Sequence, residues 1–279
     1  MYMNVDFEYN GELASDYGLM ICEIGGVSDI ETISVGAEIN FNQTPIRNGN
    51  LFLTTDVSYD SPLETTFKVC KYNCRTGMID ALDIDERRAI TRWLNSKEPH
   101  TFRLIDDDRT HDYVLFEGMF NLKEVLLSGS CIGYELTFKS NRPYALGESI
   151  IETITATTSN FEYHLFDDSD EIGYIYPSKM SITLPSNVKE LNIYNYAEDP
   201  INGRLTQIKN CVSGETITFT DMLTISTSDK NHSSTIQNDF NFCFFRIANS
   251  YKDKLNRIVV SDPCTIKIEY NPIVKGVGL

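Results

Sequence analysis

Residues 83–100 read DIDERRAITRWLNSKEPH, a helical pattern inside a chain that otherwise alternates like strands. Asp83 is followed three positions later by Glu86, the spacing of a capping box, and both acids suit the positive end of the helix dipole. Ile90, Trp93 and Leu94 then fall at i, i+3 and i+4, one apolar stripe for a core. Arg87, Arg88 and Arg92 lie mainly on the opposite side, and Asn95 and Pro99 close the segment. Such a stripe is core packing before it is anything else. Trp93, the only tryptophan of the chain, is therefore expected to anchor a core and not to carry a ligand.

Around this helix the periods are of two. TFRLI, DDDRTHD and YVLFEGMF read as a strand, an acidic turn and a strand. GYELTFKS puts Tyr134, Leu136 and Phe138 on one face. SNRPYALG then breaks the pattern with Pro143 and Gly147 and marks an expected boundary between a domain over 1–143 and another over 144–279. Beyond it Met180, Ile182 and Leu184, then Ile217 and Phe219, then Ile266, Ile268 and Tyr270 alternate, which argues a β-sandwich. NFCFFRI is apolar on both faces and reads as a central strand or part of an interface. The expected class is mainly β.

Composition narrows the function. Hydrophobic residues at 41% and charged residues at 23% fit a folded chain and exclude wholesale disorder. No apolar run approaches the ~18 residues a spanning helix needs, and MYMNVDFEYN lacks the pattern of a signal peptide. The expectation is folding in cytoplasm with no membrane insertion. Seven scattered cysteines suggest reduced, buried thiols. Cys70 and Cys74 would lie ~13 Å apart on one strand, too far for one metal ion.

The net charge of −16 is uneven: residues 1–60 hold ten acids against Arg47 alone, a net of −9. Such a chain does not suit phosphate-driven nucleic-acid binding. Glycine-rich phosphate loops, nucleophile elbows and zinc-helix motifs are missing from the sequence, and His100, His111, His164 and His232 are dispersed. Asp106, Asp107 and Asp108 suit a turn tip, and FDDSDEIG fails as a calcium loop, with Ile172 and Lys179 where ligands would stand. The expectation is a non-enzymatic protein with no catalytic residues, no cofactor and no metal.

The order of features adds a resemblance. FEYNGELASDYGLMICEI, with Gly11, Ser15, Tyr17 and Gly18, is similar to the start of distal tail proteins of long-tailed, siphovirus-type phages. So are the helix ending in Arg92, Trp93 and Leu94 with the strand and hairpin after it, and the later run of GETITFTDMLTIST, NFCFFRIANS and CTIKIEY. The likeness spans essentially the whole chain. The sequence departs from it in lacking a proline-rich lead-in to the aromatic segment and a large insertion in the C-terminal domain.

What the resemblance implies is structural work at the virion tail tip, after assembly in host cytoplasm. An N-terminal belt domain, a sheet or split barrel with one packed helix, would form a hexameric ring around the DNA exit channel. A galectin-like C-terminal sandwich would project outward. Implied partners are further copies of the chain, the tail tube protein and the hub or fibre protein, with receptor-binding proteins and the tape measure beyond. On this view Ile90, Trp93 and Leu94 brace the belt sheet. Asp6, Glu8, Glu12, Asp16, Glu23, Asp29, Glu31 and Glu38 are candidates for a channel wall that repels DNA. The alternative is an adhesin whose sandwich binds cell-wall saccharide through Tyr174, Tyr176, Tyr194 or Tyr196.

Overall fold

The computed structural model of the chain describes residues 4–22, 39–46, 51–73, 75–106, 114–249 and 254–275. In the first part, β1 (Asn4–Tyr9), β2 (Glu12–Leu13), β3 (Leu19–Ile21), β4 (Ile39–Ile46), β5 (Leu51–Tyr59), β6 (Glu64–Asn73) and β7 (Met78–Ile79) precede the helix α1 (Ile84–Leu94). β8 (His100–Asp106), β9 (Phe116–Leu127), β10 (Ser130–Ser140) and β11 (Ala145–Leu146) follow it. One antiparallel sheet runs β2-β1-β8-β9-β10-β6-β3, with β7 paired to β6. The chain leaves β1 through β2 and returns as β3 on the far edge, close to β1, so the sheet curls towards a barrel. The expected hairpin is formed by β8 and β9, with Phe102 opposite Phe116. Its tip, including Asp107, Asp108 and His111, lies outside the described residues.

The concave side of this sheet is aromatic. Phe7, Tyr9, Phe102, Phe116, Phe120 and Phe138 are buried together. Phe102 meets Phe120 edge-on, with ring centroids 5.2 Å apart, and Phe138 at 4.6 Å. Edge contacts of this kind suit rings whose faces are negative and edges positive. Strand approach is close enough to demand glycine at Gly118 and at Gly133. A Cβ on Gly133 would sit 1.9 Å from the Val69 carbonyl oxygen, beside the irregularity that shifts the register between β9 and β10.

β4 and β5 stand apart as a two-stranded ribbon, and among the described residues no other strand pairs with it.

The second part is a sandwich. β12 (Ile150–Ala156), β13 (Phe161–Phe166), β14 (Gly173–Ile175), β15 (Lys179–Thr183), β16 (Val188–Asn195), β17 (Arg204–Cys211), β18 (Thr216–Thr220) and β19 (Ile225–Thr227) come first. The short α2 (Ile236–Asp239), β20 (Ile247–Asn249), β21 (Leu255–Val260) and β22 (Cys264–Tyr270) complete it. A five-stranded sheet, β12-β22-β15-β18-β19, faces a four-stranded one, β13-β21-β16-β17. Ile182, Ile217, Ile266 and Ile268 from the first pack with Leu191, Ile193, Ile208 and Ile258 from the second, all of them buried. Period-two burial on both sheets is what makes two faces into one core.

NFCFFRI is a correction: it is neither a central strand nor any regular strand before Ile247. Phe242 has φ 56° and is 67% exposed, which breaks an extended run. The segment covers the edge of β17 instead. The Asn241 amide donates to the Leu205 carbonyl at 2.9 Å, and the Thr206 hydroxyl donates to the Cys243 carbonyl at 2.8 Å. Phe240 and Phe245 turn into the core. A sheet edge that would otherwise present unpaired backbone groups is thereby closed.

Two compact units result. The first runs to Gly147 and takes in Val274 and Lys275, and the second is 148–273. The division thus lies four residues beyond the 143/144 boundary expected from the sequence, and Val274 and Lys275 group with the first unit. Local bonding gives the reason: Leu115 and Leu146 exchange both backbone hydrogen bonds at 2.7 Å, which keeps residues after Pro143 on the first unit.

Candidate assembly surfaces

α1 is built as its sequence dictates. The Asp83 carboxylate accepts from the backbone N–H of Asp85 and Glu86, each at 2.9 Å, and Glu86 accepts from the Asp83 N–H at 2.9 Å. The other Glu86 oxygen holds Lys71 of β6 at 2.5 Å, so the cap also ties the helix to the sheet. Ile90, Trp93 and Leu94 are its buried residues. Trp93 is stacked between Tyr17, at 4.4 Å, and Phe7, at 5.6 Å. Its indole N–H donates to the Tyr9 carbonyl at 2.8 Å. A tryptophan with both faces and its one donor occupied has no surface left for a ligand.

The outer face of α1 is different. Arg87 bonds Glu124 of β9. Arg88 and Arg92 are exposed, and among the described residues neither has an ion pair or hydrogen-bond partner. Together with Ile84, 64% exposed, they border an open groove between α1 and β9. The sequence placed these arginines on the far side of the helix but gave no sign of which one would be paired.

The ribbon of β4 and β5 is amphipathic. Phe41 lies opposite Val57 and Ile39 opposite Tyr59, so these four side chains share one face. Asn40, Asn42, Asp56 and Ser58 occupy the other. Ile39, Phe41 and Val57 are each more than half exposed. A two-stranded hairpin is marginal in water by itself, and this one leaves three of these four side chains exposed, with Tyr59 half-buried under Lys275.

The acids named for a channel wall divide. The Asp6 carboxylate accepts from the backbone N–H of Phe7 at 2.8 Å, Glu8 is paired with Arg103 at 2.5 Å, and Glu12 accepts from the Tyr17 hydroxyl. Asp16 is exposed. Glu23, Asp29, Glu31 and Glu38 lie outside the described residues, as does Cys74. Three of the four described acids are therefore committed to local bonds.

In the second unit the tyrosines named for a saccharide platform are largely engaged. Arg246 lies 3.6 Å over the Tyr174 ring, and Arg257 lies 4.7 Å over the Tyr196 ring. Tyr194 and Tyr196 stack on each other at 6.1 Å. Asp167 of the acidic run is buried and accepts from Ser169, and burial raises its pKa, while Asp168 pairs with Lys254 at 3.1 Å. His100 is bonded to Ser96 and His164 to Glu162. His232 is buried against Glu215 at 2.8 Å, an interior pair that no spacing in the sequence announced. Cys70, Cys131, Cys211 and Cys264 are buried free thiols, and Cys22 and Cys243 are partly buried.

Two family models cover these units: a phage tail protein N-terminal domain matches residues 2–142 and a phage tail C-terminal domain matches residues 144–270. The chain belongs to this phage tail protein family. Among solved structures, the Dit protein of phage SPP1, described as a paradigm of the hub adsorption apparatus in phages infecting Gram-positive bacteria, is similar in fold. The TM-score is 0.61 at 14% identity, over 95% of this chain and 98% of that one. The baseplate of phage P2, in its activated conformation with Ca, gives a TM-score of 0.48 at 10% identity, over 96% and 98%. No curated protein matches the sequence. At these identities the likeness to the SPP1 protein is one of fold alone.

Proposed function

We propose that this phage tail protein is a non-enzymatic component of the tail tip. It assembles in the host cytoplasm into a closed ring, a hexamer, that joins the tail tube to the host-adsorption proteins and surrounds the DNA exit channel. The observation that carries the reading is the β4–β5 ribbon, whose face of Ile39, Phe41 and Val57 lies exposed in the single chain. An apolar face of that kind gains from burial against another protein, and repetition of one contact around an axis closes a ring. The fold likeness to a protein of a hub adsorption apparatus supports the same role. Native mass spectrometry of the full chain across micromolar concentrations is the test. The expected result is one closed oligomer, with Phe41→Ser shifting the population to monomer while leaving the melting curve unchanged. Monomers and dimers alone, with or without tail-tip partners, would refute the ring.

A further inference from the structure

The buried pair of His232 and Glu215 has an open side. The Glu215 carboxylate accepts from the Val212 N–H at 2.5 Å and the Thr227 hydroxyl at 2.6 Å, and it lies 2.8 Å from His232 Nδ1. A carboxylate so placed accepts, so the ring proton stands on Nδ1 and the neutral imidazole leaves a bare lone pair on Nε2. Nε2 is buried and has no hydrogen-bond partner among the described residues. Across from it, at 3.6 Å, is Asp239 Oδ2 at the end of α2. The other Asp239 oxygen accepts from the Asn210 amide at 2.7 Å. Two acceptors therefore stand opposite each other with no donor between them.

Distance decides what fits the gap. A hydrogen bond spans about 2.7–3.2 Å, so none joins the two atoms directly. A water bonded to both would hold them about 4.5 Å apart, which is too far. A zinc-type divalent ion, with bonds of about 2.0–2.2 Å to imidazole nitrogen and carboxylate oxygen, spans about 3.4 Å at the tetrahedral angle. That matches. A carboxylate on the far ring N–H is also what orients a ligating histidine and raises its basicity, the position Glu215 holds. His232 and Asp239 border a pocket lined also by Asn210, Asn231 and Asn238, which leaves room for further ligands. Among the described residues no set of three His, Cys, Asp or Glu converges there, so water or amide oxygen completes the shell. We propose that His232 Nε2 and Asp239 Oδ2 bind one zinc-type divalent ion, with Glu215 as the positioning residue. The imidazole nitrogen disfavours calcium and magnesium, which take oxygen. The ion ties the end of α2 to the turn at His232, and through Asn210 and Glu215 to β17 and the start of β18. This departs from the sequence expectation of no metal, because the two ligands and the orienting acid meet only in the folded chain. It uses residues of the second unit alone and is independent of the ring.

Titration calorimetry of the full, reduced chain with zinc chloride tests the site. The expected result is uptake of one ion per chain, with the melting transition of the second unit raised by zinc. Asp239→Asn keeps the side-chain shape and an oxygen for Asn210, so the metal-free melt should hold while zinc binding weakens at least about tenfold. Cobalt(II) in place of zinc reads the donors, and a spectrum without thiolate-to-metal charge transfer is expected from a nitrogen and oxygen set. No zinc uptake, uptake equal in Asp239→Asn, or a thiolate signal that accounts for all the cobalt bound would overturn the site. Should Asp239→Asn fold poorly, nitrogen NMR of the unaltered chain replaces it. A His232 Nε2 signal that moves on zinc addition while Nδ1 keeps its proton supports the site, and an unmoved Nε2 signal overturns it.

Discussion

Trp93 shows how much one side chain does. It joins α1 to β1 through the bond to the Tyr9 carbonyl and fills the space between Phe7 and Tyr17. Trp93→Ala should destabilise the first unit by about 3–5 kcal/mol, the range for a buried large aromatic, because stacked rings on both sides cannot collapse into the gap. Chemical denaturation followed by circular dichroism measures it. A native emission that is red-shifted and open to quenchers, with an unaltered melt for the variant, would contradict the burial. In the second unit the Arg257 guanidinium, with His164 beside it, holds the Glu162 carboxyl down at about 2. The folded value lies below the ordinary one. Whatever the contact adds is therefore complete above the ordinary carboxylate range and lost as pH falls through about 2. Arg257→Ala should return the Glu162 titration toward its ordinary value in a carboxyl NMR experiment, and an unmoved titration would remove the guanidinium as the cause.

Among the elements, α1 and the ribbon are opposites. The helix is satisfied at its start, on its inner face and through its cap to the sheet, so its stability is local as well as tertiary. Asp83→Ala removes a side chain that satisfies two backbone donors and should cost about 1 kcal/mol, with up to about 2 kcal/mol reachable at protein caps. A thermal melt decides it, and Asp83→Asn should recover most of the loss, since the amide oxygen still accepts. Among the described residues the ribbon's strands pair only with each other, and Ile39, Phe41 and Val57 on the apolar face are exposed, while Tyr59 lies under Lys275. One element finds its partners within its own chain; on the proposed ring, the other is completed by assembly.

The whole molecule is two cores on one chain. The sandwich core draws on both of its sheets and lies entirely within 148–273, so that fragment should fold alone with a cooperative thermal transition and near-ultraviolet circular dichroism. A broad melt without aromatic signal would show that it depends on the first unit. The same fragment answers the saccharide alternative. With arginines over Tyr174 and Tyr196, a glycan array should give no binding that Tyr174→Ala removes.

Sequence alone determined what depends on neighbours a few residues away. The capping box, the stripe of Ile90, Trp93 and Leu94, and the alternation of Met180 with Ile182 or Ile266 with Ile268 are local periodicities, and backbone geometry turns each into a face. Order and spacing also carried the family. What needed the folded chain was whatever depends on distant partners. Arg87, Arg88 and Arg92 look alike in the sequence, and only folding brings Glu124 to the first and leaves the other two without a partner among the described residues. NFCFFRI has strand composition, yet the edge of β17 and the positive φ of Phe242 make it a cover. Alternation in the ribbon says that one face is apolar, but whether a face is covered is a property of the space around it. Local sequence sets direction and period; burial and pairing are settled by which surfaces meet, and a chain pattern contains no term for that.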